Sequence, residues 1–314
     1  MMDIKICAVI VTYNRLDKLK NTIQSFENQT SKPDFMVVVD NNSTDGTDSY
    51  LKEWSTDQTN IKKYILTEDS NVGGSGGFHD GLELAMELDC DWVWISDDDA
   101  CPEVDAFQRV HDYIKITDVS QIAAICTSVY DINGDLELLH RRRIEYGMFK
   151  VYQTCVDKKE YASESFELNA FSYVGAIVKK DALYAVGLTN RDYFIWFDDT
   201  EHSIRLNKYG NIICVPAIKV THFDVPGNME YDWKTYYGLR NMLDMYRSLM
   251  ARRYYYYEVI YRWFKCCVLK VFGTKEYYQI NRDGLIDGSK GKLGINSQYY
   301  PGWKPKTSRR WFFE

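Results

Sequence analysis

The sequence contains no run of about 18 apolar residues, so it predicts no membrane-spanning helix. Its eight cysteines include no CxxC pair, and the opening residues, MMDIKICAVIVTYNR, lack the apolar core of a signal peptide. Both absences indicate a reducing, cytoplasmic location. The formal net charge of −7 argues against a general nucleic-acid binder. The chain contains no internal repeat and no low-complexity segment.

The composition is that of a globular protein, with 45% hydrophobic and 26% charged residues. A chain of 314 residues exceeds the usual size of one hydrophobic core. We therefore expect a large domain over residues 1–225 and a smaller region over residues 226–314. The composition changes at this boundary, because residues 234–282 hold ten Lys or Arg against three Asp or Glu, among many aromatic residues. The second region is predicted to be helical.

Apolar strands and amphipathic helices alternate over the first hundred residues. Strands are predicted at 4–14, 34–43, 61–68 and 91–96, and helices at 15–29 and 45–54, with Ser43 or Thr44 as the cap of the second. A glycine loop at 71–78 is expected to lead into a third helix that ends near residue 88. This rhythm predicts an α/β fold, with a mainly parallel sheet flanked by helices. Further strands are predicted at 122–131 and 211–224, a strand followed by a helix at 171–187, and a helix within 194–210.

Three adjacent aspartates, Asp97, Asp98 and Asp99, follow the strand DWVWIS. In one interpretation they form a solvated turn, in which aspartate is common. In the other, a divalent cation such as Mn²⁺ or Mg²⁺ offsets their repulsion, because hard cations prefer carboxylate oxygens. All four early strands end in polar residues, and ligands of parallel sheets bind beyond the carboxyl ends of the strands. This common edge favours a binding site.

The segment NVGGSGGF places four glycines within five residues, at Gly73, Gly74, Gly76 and Gly77, around Ser75. Glycines let a backbone approach a ligand closely, and a following helix N-terminus favours phosphate. The spacing is neither GxGxxG nor a Walker loop. A plain flexible turn is the alternative. At the end of the second predicted strand, Asp40 can accept a hydrogen bond from a base or a ribose, and Asn42 adds a further polar group.

The second acidic group, Asp198 and Asp199, lies in WFDDTEHSIRL. The alternative to a catalytic role is a helix start, where acids complement the helix dipole. Trp196 and Phe197 can stack on a sugar or pack in the core. His222, at the end of a predicted strand, is either a metal ligand or a hydrogen-bonded structural residue. The residues HRRR at 140–143 either bind an anionic acceptor or form a solvated loop, and the loop is favoured.

As an ordered set, six segments resemble family 2 glycosyltransferases of the GT-A fold: VIVTYNR, DNNSTDGT, NVGGSGGF, WISDDDA, WFDDTEHSIRL and VTHFD. The resemblance covers residues 4–224 and is greatest to bacterial galactofuranosyltransferases, while rhamnosyltransferases share much of the pattern. It implies a GT-A nucleotide-sugar-binding fold and an inverting, metal-dependent transfer in cell-surface polysaccharide synthesis. The expected donor is UDP-galactofuranose, the alternative donor is dTDP-rhamnose, and the expected acceptor is a saccharide, commonly lipid-linked.

The resemblance also implies roles for individual residues. Asp40 would read the uracil or thymine base. The remaining donor-site residues would be Thr12, Tyr13, Arg15, Asn42, Gly73, Gly74, Ser75, Gly76, Asp97 and Asp98. Asp99 and His222 would ligate Mn²⁺ or Mg²⁺, with Asp97 beside them.

On the acceptor side, the resemblance implies that Asp199 is the catalytic base, with Asp198 next to it, and that Glu201 orients the acceptor. Trp196 and Phe197 would contact the acceptor sugar. An inverting transfer needs one carboxylate to take the acceptor proton and a cation at the diphosphate, which agrees with two acidic groups about a hundred residues apart.

Two other classes of function stay open. A nucleotidyltransferase also uses carboxylate-bound metal at parallel strand ends, but it needs no base in the position of FDDTE. A non-catalytic subunit of a polysaccharide-assembly complex is the other. The basic, aromatic stretch 252–272 either lies against the inner face of a membrane or packs on the first domain or in a homo-oligomer, and the sequence leaves both open.

Overall fold

The computed structural model describes residues 4–223 and 231–306. The predicted domain boundary at 225/226 lies outside the described residues, as does the end of the basic, aromatic tail at 307–314. The strands are β1 (Ile6–Thr12), β2 (Phe35–Asp40), β3 (Lys62–Thr67), β4 (Trp92–Asp97), β5 (Ala100–Pro102), β6 (Ile122–Tyr130), β7 (Arg141–Tyr146), β8 (Val151–Cys155), β9 (Phe166–Leu168), β10 (Ala170–Phe171), β11 (Ala176–Lys179) and β12 (Asn211–His222).

The helices follow the predicted pattern, except that the helix over 106–116 was not predicted. They are α1 (Leu16–Glu27), α2 (Thr47–Thr56), α3 (Gly73–Glu87), α4 (Ala106–Ile116), α5 (Lys180–Val186), α6 (Asp198–Tyr209), α7 (Trp233–Leu249), α8 (Arg252–Phe272) and α9 (Lys275–Lys290). Within the described ranges, no helix is both long and apolar enough to cross a membrane.

Nine strands of the described residues form the main sheet, in the order β3-β2-β1-β4-β11-β6-β12-β5, with β9 beside β12. The pairs β3-β2, β2-β1, β1-β4 and β6-β12 are parallel, whereas β11 runs antiparallel to both of its neighbours. The predicted mainly parallel sheet is therefore confirmed. Short β5 pairs with the end of β12, opposing Ala100 to His222, and so brings the last strand to the three aspartates.

Helices cover both faces of the sheet because successive residues of its buried strands, which point to opposite faces, are apolar. From β1, Ile6, Ala8 and Ile10 pack with α1, α2 and α4 on one face. Cys7, Val9 and Val11 pack with α3, α5 and α6 on the other. A strand buried on both faces must be apolar throughout, which explains the continuous run in β1.

The segment 140–143 is not the solvated loop that the sequence favoured. Arg141 begins β7 of a second, three-stranded sheet, β10-β7-β8, and its side chain is fully buried. Its guanidinium donates to the carbonyl oxygens of Thr127 and Val174, at 2.8 and 2.7 Å. Arg143 forms a bidentate ion pair with Glu160. The loop prediction was wrong because these partners lie far from the arginines in sequence.

The glycine segment is also not a loop, because α3 begins at Gly73 itself. Its glycines permit close packing: a Cβ on Gly81 would lie 2.6 Å from Val9 Cγ1 and 2.8 Å from Val39 Cγ2, and one on Gly77 would lie 2.6 Å from Val11 Cγ1. The predicted cap of α2 is corrected as well. Gly46, at φ +98°, precedes the helix, and neither Ser43 nor Thr44 caps it.

A pair of glycine variants tests this packing role. Gly81→Ala should lower the free energy of unfolding by about 1–3 kcal/mol, because overpacking displaces Val9 and Val39. Gly74→Ala in the same helix is the matched control, since its Cβ would meet nothing within 4 Å. It should leave the stability unchanged or slightly higher. Urea unfolding measures both. Equal stability of Gly81→Ala and the wild type would contradict the close approach of α3 to the sheet.

Candidate active site

The ends of β1, β2, β4 and β12 meet at one edge of the main sheet, where most of the predicted polar residues lie. Thr12 ends β1, and its hydroxyl donates to Asp98 Oδ2 at 2.7 Å. Arg15 Nη1 donates to Asp98 Oδ1 at 3.2 Å and to Asp99 Oδ2 at 2.8 Å. Lys18 from α1 donates to the same Asp99 oxygen at 3.0 Å. Part of the repulsion among the aspartates is therefore offset by cations of the chain itself.

Burial disfavours the ionised carboxylates of the acidic cluster, and the pKa values of three aspartates are raised. Burial raises the pKa of Asp98 to about 6, although Arg15 and Thr12 act in the opposite direction. Burial and the charges of Asp99 and Asp98 hold the pKa of Asp97 well above its usual range. In Asp198, burial and the neighbouring Asp199 raise the pKa to about 7. A cation bound among these groups would favour their ionised forms.

His222 ends β12 beside this cluster. Its Nε2 lies 3.6 Å from Asp99 Oδ1, and its Nδ1 lies 2.9 Å from Glu137 Oε2. The pairing of β12 with β5 explains this approach, because it places His222 opposite Ala100, next to the three aspartates. The two atoms that face each other, an imidazole nitrogen and a carboxylate oxygen, are ordinary ligands of a divalent cation.

A cleft of about 330 Å³ adjoins the acidic cluster. Asp97 of β4 lines the cleft, and so do Asp198 and Asp199 of α6. The full lining is Gly74, Ser75, Phe78, Asp97, Arg142, Ser172, Tyr173, Ile195, Trp196, Phe197, Asp198, Asp199 and Thr200. The cleft thus brings together seven of the predicted residues, from the start of α3, the end of β4 and the start of α6.

Asp198 and Asp199 lie in the first turn of α6. Asp199 Oδ1 accepts hydrogen bonds from the backbone N–H and the hydroxyl of Thr200, at 2.5 and 3.0 Å. Its Oδ2 lies 3.9 Å from Arg142 Nη2. Asp199 therefore has one oxygen held by the helix start and the other near a cation, at the wall of the cleft.

The segment before Asp198 has a strained backbone. Phe194, Trp196 and Phe197 each have φ of 66°, a region that large L-residues rarely adopt. Asn241 of α7 holds this segment, because its Nδ2 donates to the carbonyl oxygens of Tyr193, Ile195 and Trp196 at 2.8–2.9 Å. Strain of this kind persists only where the surroundings impose it, and it is concentrated at functional sites.

Trp196 also packs on α7, where a Cβ on Gly238 would lie 2.8 Å from Trp196 Cε3. Its side chain remains 40% exposed at the cleft, whereas Phe197 is packed against the apolar residues between α6 and α7. Packing, one of the two alternatives for this pair, is therefore observed for Phe197, and contact of Trp196 with a ligand stays a prediction. The helical C-terminal region supports the site directly.

The predicted base-reading residue Asp40 is buried at the end of β2. Its Oδ1 accepts from the backbone N–H of Ser43 at 2.9 Å, and nothing in the described residues donates to its Oδ2. Asn42 is exposed and donates to the carbonyl oxygen of Asp69 at 2.8 Å, so it fixes a loop outside the cleft. Tyr13 is 40% exposed at the same edge.

Three other predicted residues lie outside the cleft lining. Gly73, at φ +77°, packs so closely on Phe194 that its Cβ would lie 2.0 Å from the carbonyl oxygen. Gly76 packs on Val72. Glu201 forms a bidentate ion pair with Arg205 at 2.7 and 2.8 Å and is not part of the cleft lining. The roles of these three residues toward a ligand remain predictions without geometric support.

Sequence reasoning did not single out Arg142, Asn241 or Glu137 individually. Arg142 lines the cleft, and its Nη2 donates to Thr200 Oγ1 at 3.0 Å. The run HRRR marked the region of Arg142. Only the structure shows that Arg142 faces Thr200 whereas Arg141 is buried. For Asn241 and Glu137 the sequence carried no signal, because their partners lie 45 to 85 positions away.

The sequence model of the family described as "Glycosyl transferase family 2" matches residues 7–187. Among curated proteins, galactofuranosyltransferase GlfT1 of Mycolicibacterium smegmatis is 28% identical over 208 residues, which cover 65% of this chain and 66% of that protein. The dTDP-rhamnosyl transferase RfbF of Shigella flexneri is 24% identical over 226 residues, 70% of each chain. The match spans just under two thirds of the length of the galactofuranosyltransferases.

Solved structures share the fold. The S. aureus TarS fragment 1–349 in complex with UDP-GlcNAc superposes with a TM-score of 0.58 at 12% identity, covering 91% of this chain and 81% of that one. GalNAc-T7 with UDP, GalNAc and Mn²⁺ gives a TM-score of 0.56 at 14% identity, covering 77% and 48%. The expected GT-A fold is thereby confirmed.

Proposed function

The chain belongs to glycosyl transferase family 2, and from this premise we propose that it transfers a sugar from a nucleoside-diphosphate sugar to a hydroxyl of a saccharide acceptor, with inversion. One observation carries the proposal: Asp97 and Asp199 line the same cleft from different elements. The first belongs to a cluster suited to a diphosphate with its cation. The second is a carboxylate in the first turn of α6, suited to accept the proton of an acceptor hydroxyl.

The carboxylate of Asp199 is the proposed general base. As the acceptor oxygen attacks the anomeric carbon, Asp199 takes the proton from that oxygen. The bond between the anomeric carbon and the diphosphate oxygen breaks, and the nucleoside diphosphate leaves with the electron pair. Arg142 Nη2 lies 3.9 Å from Asp199 Oδ2, so a positive charge stands beside the proposed base. Trp196, partly exposed beside it, offers a ring face to the acceptor sugar.

The residues at the sheet edge fit a divalent cation. Asp99 Oδ1 and His222 Nε2 lie 3.6 Å apart, a separation that two bonds of about 2.1 Å to one ion can span. Asp97 adds a buried carboxylate whose pKa is raised by burial and by its neighbours, which is the electrostatic demand that a cation satisfies. We therefore propose that Asp97, Asp99 and His222 hold Mn²⁺ or Mg²⁺, which when bound supplies positive charge to the leaving diphosphate.

The proposed donor is UDP-galactofuranose, and dTDP-rhamnose is the alternative. The resemblance and the identity of 28% to a galactofuranosyltransferase support the first, and that of 24% to a dTDP-rhamnosyl transferase supports the second. Asp40, with an unpartnered buried oxygen at the end of β2, is the proposed reader of the base. The proposed setting is cytoplasmic synthesis of a cell-surface polysaccharide. The N-terminal catalytic domain and the C-terminal helical region are proposed to act as one unit.

Nucleotidyl transfer is the weaker alternative. That reaction also needs carboxylates at the sheet edge, but it has no use for Asp199 in the cleft. A non-catalytic assembly subunit is disfavoured because Asp97, Asp198 and Asp199 are all present and line one cleft.

We also propose that helix α8 rests on an anionic membrane surface, where lipid-linked acceptors would be found. Large apolar side chains recur along it at helical spacing and are exposed, Ile260 by 67%, Trp263 by 62% and Phe264 by 64%. Arg252, Arg253, Lys265 and Lys270 accompany them. The helix's acid, Glu258, is buried and paired with Arg262, so the exposed face is positive. Aromatic and basic residues together favour a lipid interface.

Asp199→Asn tests the catalytic assignment. The variant should lose turnover by about 10²- to 10⁴-fold, because the base is gone, while UDP binding in the presence of Mn²⁺ stays within about twofold. Turnover is measured as UDP release from UDP-galactofuranose with an alkyl galactofuranoside as acceptor, and binding by calorimetry. Asp192→Asn, an exposed aspartate just before the strained segment, is the control and should behave as the wild type. Wild-type turnover in Asp199→Asn would refute the assignment.

The double variant Trp263→Glu, Phe264→Glu tests the membrane surface. Wild-type protein should sediment with vesicles of phosphatidylglycerol and phosphatidylcholine and much less with phosphatidylcholine alone, since the exposed helix face is basic. The double variant should lose most of this binding. Ile116→Glu is the control, because Ile116 is 86% exposed on a different helix and should not contribute to vesicle binding. The proposal fails if the wild type does not sediment with anionic vesicles. It also fails if the only effect of the double substitution is to dissociate an oligomer in solution.

A further inference from the structure

A hydrogen-bonded chain of side chains runs from the cleft wall to the sheet edge. Ser172, in the cleft lining, bonds through its hydroxyl to His140 Nδ1 at 2.6 Å. His140 Nε2 lies 3.3 Å from Glu137 Oε2, and the same carboxylate oxygen lies 2.9 Å from His222 Nδ1. The side chains of Glu137, His140 and His222 are only 14–18% exposed, so these bonds are largely shielded from water.

The chain of bonds determines which nitrogen of His222 carries a proton. An ionised carboxylate only accepts hydrogen bonds, so His222 Nδ1 must donate to Glu137. In neutral His222 the other nitrogen, Nε2, then has a free lone pair, and this is the atom 3.6 Å from Asp99 Oδ1. A histidine that ligates a metal commonly donates its second N–H to a carboxylate, which fixes the tautomer and the orientation of the ring.

We propose that Glu137 is a positioning residue for the cation site: it holds His222 in the tautomer and orientation that present Nε2 to a divalent ion shared with Asp99. His140, bound to Ser172, holds the Glu137 carboxylate in turn. The proposal rests on the proposed function, because that function supplies the cation. It assigns a purpose to a carboxylate that the proposed transfer mechanism does not otherwise use.

The backbone around Glu137 supports a fixed carboxylate. Its N–H donates to the carbonyl oxygen of Val129 at 2.9 Å, and the preceding Leu136 pairs with Tyr130, so the segment is pinned to the end of β6. Strand β6 in turn pairs with β12, with Tyr130 opposite Thr221, the neighbour of His222. The donor and the acceptor of the bond between His222 and Glu137 are thus held by adjacent strands rather than by a free loop.

The test uses Glu137→Ala and Glu137→Gln in the full-length protein. Mn²⁺ affinity is measured by calorimetry with UDP at saturation. Loss of a hydrogen bond of this kind lowers metal affinity about 10- to 100-fold. Glu137→Ala should show that loss, and Glu137→Gln should lie between it and the wild type, because an amide oxygen can still accept from Nδ1. Glu103→Gln is the matched control, since Glu103 is an exposed glutamate that lies 4.0 Å from Lys219 of β12.

A second readout needs neither the metal nor activity. Long-range ¹H–¹⁵N spectra of the metal-free protein report the tautomer of each of the five histidines, and His222→Gln assigns the relevant signal. His222 should carry its proton on Nδ1 in the wild type. In Glu137→Ala it should shift toward the Nε2–H form. Thermal unfolding of each variant shows whether the fold is retained, and the tautomer can be read in Glu137→Gln if the alanine variant does not fold.

The outcomes separate this inference from the proposed function. If His222→Gln loses Mn²⁺ while both Glu137 variants bind it as the wild type does, the cation site stands and the positioning role is refuted. An Nε2–H tautomer in the wild type also refutes it. If Glu137, His140 and His222 themselves hold an ion, binding will persist in Asp99→Ala, and the role is refuted in favour of a separate site. No Mn²⁺ binding by the wild type overturns the metal clause of the proposed function and this inference together.

Discussion

Repulsion among buried carboxylates is the constraint around which the site is built. Asp97 ends β4, Asp98 and Asp99 follow it, and Asp198 adds a negative charge near Asp97 from α6. Burial, with a smaller effect of Asp99, raises the pKa of Asp98 to about 6, and burial together with Asp199 raises that of Asp198 to about 7. Arg15 and Lys18 offset part of this charge. An arrangement that is costly in the protein alone would be stabilised by a bound cation, which is why we propose a metal and a diphosphate at this edge of the sheet.

The part of the cleft lining that precedes Asp198 is held in place by the C-terminal helix α7. Three aromatic residues at positive φ precede Asp198, and Asn241 fixes their carbonyl groups from α7. The backbone strain at these residues costs about 1–3 kcal/mol each, which the packing of α7 and its hydrogen bonds must offset. The helical region that composition distinguishes from the rest of the chain is therefore part of the site's structure, and α8 beyond it carries the proposed membrane surface.

Local patterns were sufficient for most strands of the main sheet and for the acidic edge, but not for the short strands β5 and β9. Apolar runs that end in polar residues predicted β1, β2, β3, β4 and β12, and the position of the aspartates after β4 followed from them. The glycine segment was mistaken for a loop because the reason for its glycines is the proximity of Val9, Val11 and Val39, which no local pattern reveals. The roles of three further residues were accessible only from the structure, because their partners are distant in sequence. These partners lie 58 positions from Arg142, 45 to 48 from Asn241 and 85 from Glu137.

The release of nucleoside diphosphate tests the central claim most directly. Purified protein is incubated with UDP-galactofuranose or dTDP-rhamnose, with Mn²⁺, with EDTA, and with EDTA followed by excess Mn²⁺. The account predicts that UDP is released from UDP-galactofuranose in Mn²⁺, that EDTA stops the release, and that added Mn²⁺ restores it. Release of dTDP alone would move the donor to the rhamnosyl alternative. If EDTA leaves the rate of UDP release unchanged, the account is contradicted, because the transfer would then need no cation at the acidic edge.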